Sequence, residues 1–100
     1  MTSNDTFSTN PKAFEAKANI LKALAHPVRL CIVKGLIESG GSNVTNMQHC
    51  LNVPQSTISQ HIAKLKSCGI IDWERNGLEI IYSVSDTKIK ELIQVLFEDI

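Results

Sequence analysis

Apolar positions recur at helical spacing through most of the chain and at strand spacing in its last third. Phe14, Ala18, Leu21 and Leu24 follow a helical period after Asn10-Pro11, a capping residue with proline at the first helical position, so a helix is predicted there. His26-Pro27 interrupts it. Val28, Cys31, Ile32, Gly35 and Leu36 then predict a second helix that stops at Gly40-Gly41. Val44, Met47 and Leu51 give a short third helix. Asn52-Val53-Pro54 breaks that helix, because Pro54 lacks an amide proton and biases Val53 away from helical torsions. A fourth helix starts at once and runs from Gln55 to Ser67, with Ile58, Ile62 and Leu65 on one stripe.

Beyond Ser67 the period changes. Residues 71–75 and 78–84 flank Asn76-Gly77, which reads as a two-residue hairpin turn with positive φ at both positions. Leu78, Ile80, Tyr82 and Val84 alternate onto one face and are expected to cover the helical core. A last helix opens near Ser85-Asp86, where either side chain can cap. Its stripe of Ile89, Leu92, Ile93, Leu96 and Phe97 is too wide for packing on one side alone. The expected architecture is mainly α with a small antiparallel β-hairpin (α+β), five helices plus a wing, in which helices two to four form a three-helix core. The first and last helices have apolar surface to spare, which predicts a homodimer joined through them. Their packing on each other within one subunit is the competing arrangement. Residues 1–10 are largely polar and are expected to be a flexible N-terminus, ahead of one domain over residues 11–100.

The outward face of the fourth helix is the unusual surface. A solvated helix mixes Glu with Lys, yet no carboxylate lies between Gln55 and Ser67. Gln55, Ser56, Thr57, Ser59 and Gln60 offer short donors and acceptors that suit base edges, and Lys64 and Lys66 can reach phosphate. The second helix of a helix-turn-helix enters the DNA major groove with such a face. A Ser- and Gln-rich helix with no partner is the plain alternative. At the hairpin tip, Arg75 and Asn76 are placed for the DNA backbone or minor groove, although Asn76 suits a solvated turn as well.

Charge sharpens this picture. The 100 residues sum to zero, but Lys64, Lys66 and Arg75 against Asp72 and Glu74 leave residues 51–75 at +1, and residues 76–100 stand at −3. Phosphate binding depends on local lysines, so an acidic last helix turned away from DNA is compatible with it. With 43% hydrophobic and 20% charged residues the composition is that of a globular protein, and no apolar run approaches membrane-spanning length. The start lacks the basic and apolar blocks of a secretory signal, so a cytoplasmic location is expected. Catalysis is not expected: His49 and Cys50 are sequence neighbours, which on a helix point about 100° apart, and no phosphate loop or paired-carboxylate motif occurs.

The motifs, taken in order, carry a resemblance. Ala25-His26-Pro27-Val28-Arg29-Leu30, then Gln55-Ser56-Thr57-Ile58-Ser59-Gln60-His61-Ile62-Ala63-Lys64-Leu65-Lys66, then Gly69-Ile70-Ile71 and Tyr82-Ser83-Val84 resemble the ArsR/SmtB winged-helix repressors over residues 11–99. The likeness is to members that lack the usual metal sites. It implies a homodimeric, sequence-specific transcriptional repressor on a palindromic operator, with double-stranded DNA as partner and Ser56, Thr57, Ser59 and Gln60 facing it. A winged helix used for protein interaction, or an antirepressor without its own operator, is the competing reading.

Departures from the family bear on the signal. Its arsenic and cadmium sensors carry Cys-x-Cys where this chain has Asn43 and Thr45, and its zinc sensors carry Asp-x-His where this chain has Asp86 and Lys88, with only Glu98 and Asp99 at the later ligand positions. Neither set suits a metal, so no metal site, no cofactor and no small-molecule site is expected. Cys31, Cys50 and Cys68 fit no Cys-x-x-Cys spacing and are expected to be buried thiols. The family's thiol sensors pair a cysteine on the second helix with one on the last helix, which has none here. A redox response would need another pair, Cys31 with Cys50 or Cys68.

Overall fold

The computed structural model describes residues 6–98. Five helices and one hairpin follow in order: α1 Pro11–Leu24, α2 Pro27–Ser39, α3 Val44–Leu51, α4 Gln55–Ser67, β1 Asp72–Asn76, β2 Glu79–Ser83 and α5 Thr87–Phe97. Each junction has a local cause. The Asn10 side chain accepts from the Ala13 amide at the start of α1, and His26 Nδ1 accepts from the Val28 amide at the start of α2. Pro11 and Pro27 take the first helical positions, where no amide is needed. Gly40 at φ +80 ends α2, and Asn52 at φ +56 ends α3. Past α4 the Gly69 amide donates to the Lys66 carbonyl and the Ile70 amide to the Leu65 carbonyl. This is a Schellman turn around Gly69 at φ +73, and it carries Ile70 into the core.

The core draws on every helix and on the wing. Leu24, Ile32, Val33, Leu36, Met47, Ile58, Ile62, Leu65, Ile70, Ile71, Tyr82, Val84, Ile89 and Ile93 are buried together. It is therefore wider than the expected three-helix core. Ahead of α1, residues 6–9 form a hydrogen-bonded turn, and the Phe7 ring meets Phe14 edge-on at 6.3 Å. Residues 1–5 of the expected flexible start lie outside the described residues. No helix among the described residues is long and apolar enough to cross a membrane.

The hairpin departs from its predicted register. Asn76 pairs with Glu79, so the two turn residues are Gly77 and Leu78 rather than Asn76 and Gly77. Gly77 has φ +69 and Asn76 stays extended within β1, which is the pattern of a turn with glycine at its first position. Leu78 consequently sits at the tip, 101% exposed, and does not cover the core as expected. Tyr82 and Val84 do cover it, with Ile80 half-buried. A further pairing had no signal in the pattern: the Ser42 amide and carbonyl exchange hydrogen bonds of 2.9 and 2.8 Å with Tyr82. This ties the segment before α3 to the wing. Gly41 makes it possible, since a Cβ there would lie 3.2 Å from Ile81 Cγ2 at a φ of +143°.

Candidate nucleic-acid interface

Ile58, Ile62 and Leu65 seat α4 in the core, and the opposite face is left open. Gln55, Ser56, Ser59, Gln60, Ala63, Lys64 and Ser67 are all exposed, as expected, whereas Thr57 is half-buried. Pro54 occupies the capping position and supplies no side-chain acceptor, so the first-turn amides of Gln55 and Ser56 have no capping side chain. The positive end of the helix dipole thus opens onto the same face as the Gln and Ser side chains. Among the described residues the one ion pair is Lys34 with Glu38, at 2.6 Å on α2, so neither Lys64 nor Arg75 is neutralised by a carboxylate.

The wing is held beside this helix. Lys66 Nζ lies 4.7 Å from the centroid of the Trp73 ring on β1, a cation–π contact that links the end of α4 to the hairpin. Lys66 itself is exposed. Asn43 ties the start of α3 to the wing, with Oδ1 accepting from the Asn46 amide and Nδ2 donating to Glu79 Oε1 at 2.8 Å. Arg75 and Asn76 are exposed at the distal end of β1, one step behind the turn. The thiols depart from expectation: Cys31 and Cys50 are exposed and Cys68 is half-buried. Cys31 stands to one side of the stripe that α2 buries, Ile32, Val33 and Leu36, and Cys50 to one side of Met47 on α3.

A polar cluster behind the recognition face was not legible in spacing. The Arg29 guanidinium lies with NH1 3.3 Å from His61 Nδ1 on α4, while its Nε donates to the Ala23 carbonyl of α1. His26, at the α1–α2 junction, places its ring 4.5 Å from that of His61. Arginine only donates, so His61 Nδ1 must accept and the imidazole is neutral. Burial first, then the electrostatic influence of His26 and Arg29 beside it, pushes the His61 pKa below its ordinary value. A histidine held neutral in the fold stabilises it above its unfolded value of about 6.5, and that contribution is lost as pH falls below it. The stability advantage of the native chain over His61→Gln is therefore expected to be level above that pH and to shrink below it. A difference that grows on acidification would contradict this.

The comparisons with known proteins fit this geometry. A helix-turn-helix domain family matches residues 24–72, which span the end of α1 to the start of β1. The transcriptional repressor PagR of Bacillus anthracis is 40% identical over 84 residues, covering 84% of each chain, and its crystal structure superposes with a TM-score of 0.78 over 84% of this chain and 95% of that one. The repressor SmtB of Mycobacterium tuberculosis is 37% identical over 90 residues, covering 88% of this chain and 66% of its own. The chain belongs to the ArsR/SmtB family of winged-helix transcriptional repressors. HlyU of Vibrio cholerae shares the fold at 29% identity, with a TM-score of 0.79 over 85% of this chain and 91% of that one.

Positions that hold metal ligands in some ArsR/SmtB sensors are used here as helix caps. Asn43 caps α3, and Asp86 Oδ1 accepts from the amides of Lys88 and Ile89 at the start of α5. Asp99 lies outside the described residues. Among those described, no group of three His, Cys, Asp or Glu side chains is placed to hold an ion.

Proposed function

We propose that the chain is a DNA-binding transcriptional repressor that reads its operator with the exposed face of α4. The observation that carries this is the combination on one helix of a buried aliphatic stripe, an outward face of amides, hydroxyls and one unpaired lysine, and an end without a capping side chain. In this reading Gln55, Ser56, Ser59 and Gln60 meet base edges, and Lys64 meets phosphate. Thr57, half-buried, contacts the backbone beside the helix start. Arg75 and Asn76 reach the flanking backbone or minor groove from the wing.

Residues 11–100 act as one DNA-binding and dimerising unit in the cytoplasm. Phe14 and Leu21 of α1 and Val95 and Leu96 of α5 remain largely exposed in the single chain, an apolar surface suited to a second copy. Two-fold pairing places the two α4 helices about 34–36 Å apart, one turn of duplex, and so calls for a palindromic operator. Selection of bound duplexes from a random pool tests this reading. An enriched inverted repeat is the expected product; a pool that stays random would overturn it and favour a protein-interaction role.

A further inference from the structure

Two of the three thiols share a cleft. Cys31 in the second turn of α2 and Cys50 near the end of α3 are both exposed, and both line a cavity of about 310 Å³ between these helices, floored by Ile32, Leu36 and Met47. Neither sulfur has a hydrogen-bond partner among the described residues. Cys68 lies apart, in a recess between α1 and α4, with its Sγ 3.8 Å from the Asn19 carbonyl oxygen and from Ser67 Oγ. Gly41 and Ser42 form part of the same cleft as Cys31 and Cys50, and Ser42 is the residue that pairs with Tyr82 of the wing.

We infer that Cys31 and Cys50 form a dithiol site for small oxidised-sulfur compounds, namely low-molecular-weight disulfides, which close it into an α2–α3 disulfide that weakens DNA binding. The reaction is thiol–disulfide exchange. One cysteine thiolate attacks a sulfur of the small disulfide, forming a mixed disulfide and releasing one small thiol. The second cysteine thiolate attacks the cysteine sulfur of that mixed disulfide, and the second small thiol leaves. The two protein thiols lose two electrons and two protons, and the small disulfide gains them.

The consequence for DNA follows from where the cleft lies. A disulfide holds its Cα atoms within about 4.4–6.8 Å, so the bridge takes over an α2–α3 spacing otherwise set by Ile32, Leu36 and Met47. α3 is joined to α4 through a three-residue turn, and the segment before it is hydrogen-bonded to the wing. Resetting α3 therefore disturbs both parts of the proposed reading surface. This output rests on the proposed function; formation of the bridge does not.

The test treats the full reduced chain with 2-hydroxyethyl disulfide and follows intact mass, tryptic peptides and DNA binding. The three cysteines fall on separate tryptic peptides, residues 30–34, 35–64 and 67–75. Expected are the loss of two hydrogens, a linked 30–34/35–64 pair with Cys68 unlinked, and operator affinity lowered about tenfold, a common size for coupling between two sites, and restored by dithiothreitol. Cys31→Ser and Cys50→Ser should each abolish the bridge and keep affinity in the presence of the oxidant, while Cys68→Ser should respond like the native chain. A bridge to Cys68, a link between chains, stable mixed disulfides without a bridge, or a bridge with unchanged affinity would each overturn the inference. A reduced chain that ignores DNA would instead overturn the proposed function, and the linked peptides would still decide the thiol assignment.

Discussion

Replacing Leu65 with alanine is expected to lower the free energy of unfolding by roughly 2–5 kcal/mol. Leu65 is 0% exposed, so the substitution removes buried methyl groups and leaves a cavity between α4 and the rest of the core. Its carbonyl also receives the Ile70 amide in the turn that ends α4, so the cavity opens beside the turn that leads into the wing. A domain of this size has only about 5–15 kcal/mol in total, and the loss is a large share of it. Urea denaturation followed by circular dichroism measures it. A loss under about 1 kcal/mol, the level of an exposed site, would mean that α4 is not seated as described.

Replacing Gln60 with alanine is expected to cost about 1–3 kcal/mol on a matched operator and almost nothing on random duplex. Gln60 is exposed on the open face, one turn from Ser56, where its amide can serve a base edge bidentately. Lys64→Ala is expected to act differently, weakening operator and random DNA alike and reducing the salt slope by about 1, because an ammonium on phosphate carries no sequence information. Fluorescence anisotropy at two salt concentrations on both duplexes separates the two roles. Equal losses on the two duplexes for Gln60→Ala would remove it from base recognition.

Much of this architecture was legible in local pattern. Asn10-Pro11, His26-Pro27 and Pro54 each act within their own turn of helix, and the Ile58, Ile62 and Leu65 stripe stays buried because burial on a helix follows its period. What was missed depends on register or on distant partners. Asn76 and Gly77 both tolerate positive φ, so sequence alone did not distinguish a turn at residues 76–77 from one at 77–78, and that one-residue shift put Leu78 at the tip. Helical spacing from Val28 puts Cys31 on the stripe of α2, but the helix is rotated so that Val33 is buried and Cys31 turns toward the cleft. The Ser42–Tyr82 pairing and the Arg29–His61 contact join residues about 30–40 apart, and no local periodicity encodes them. The contact of the Lys66 ammonium with the half-exposed Trp73 ring likewise joins a helix end to a strand, and no helical or strand period encodes it.

The most direct test is a nitrogen-15 chemical-shift map of the chain titrated with its selected operator duplex. The largest shifts are expected at Gln55, Ser56, Ser59, Gln60 and Lys64 on α4, with a second group at Arg75 and Asn76. Shifts concentrated on α1 and α5, with the α4 face unchanged, would contradict the assignment of that face to DNA.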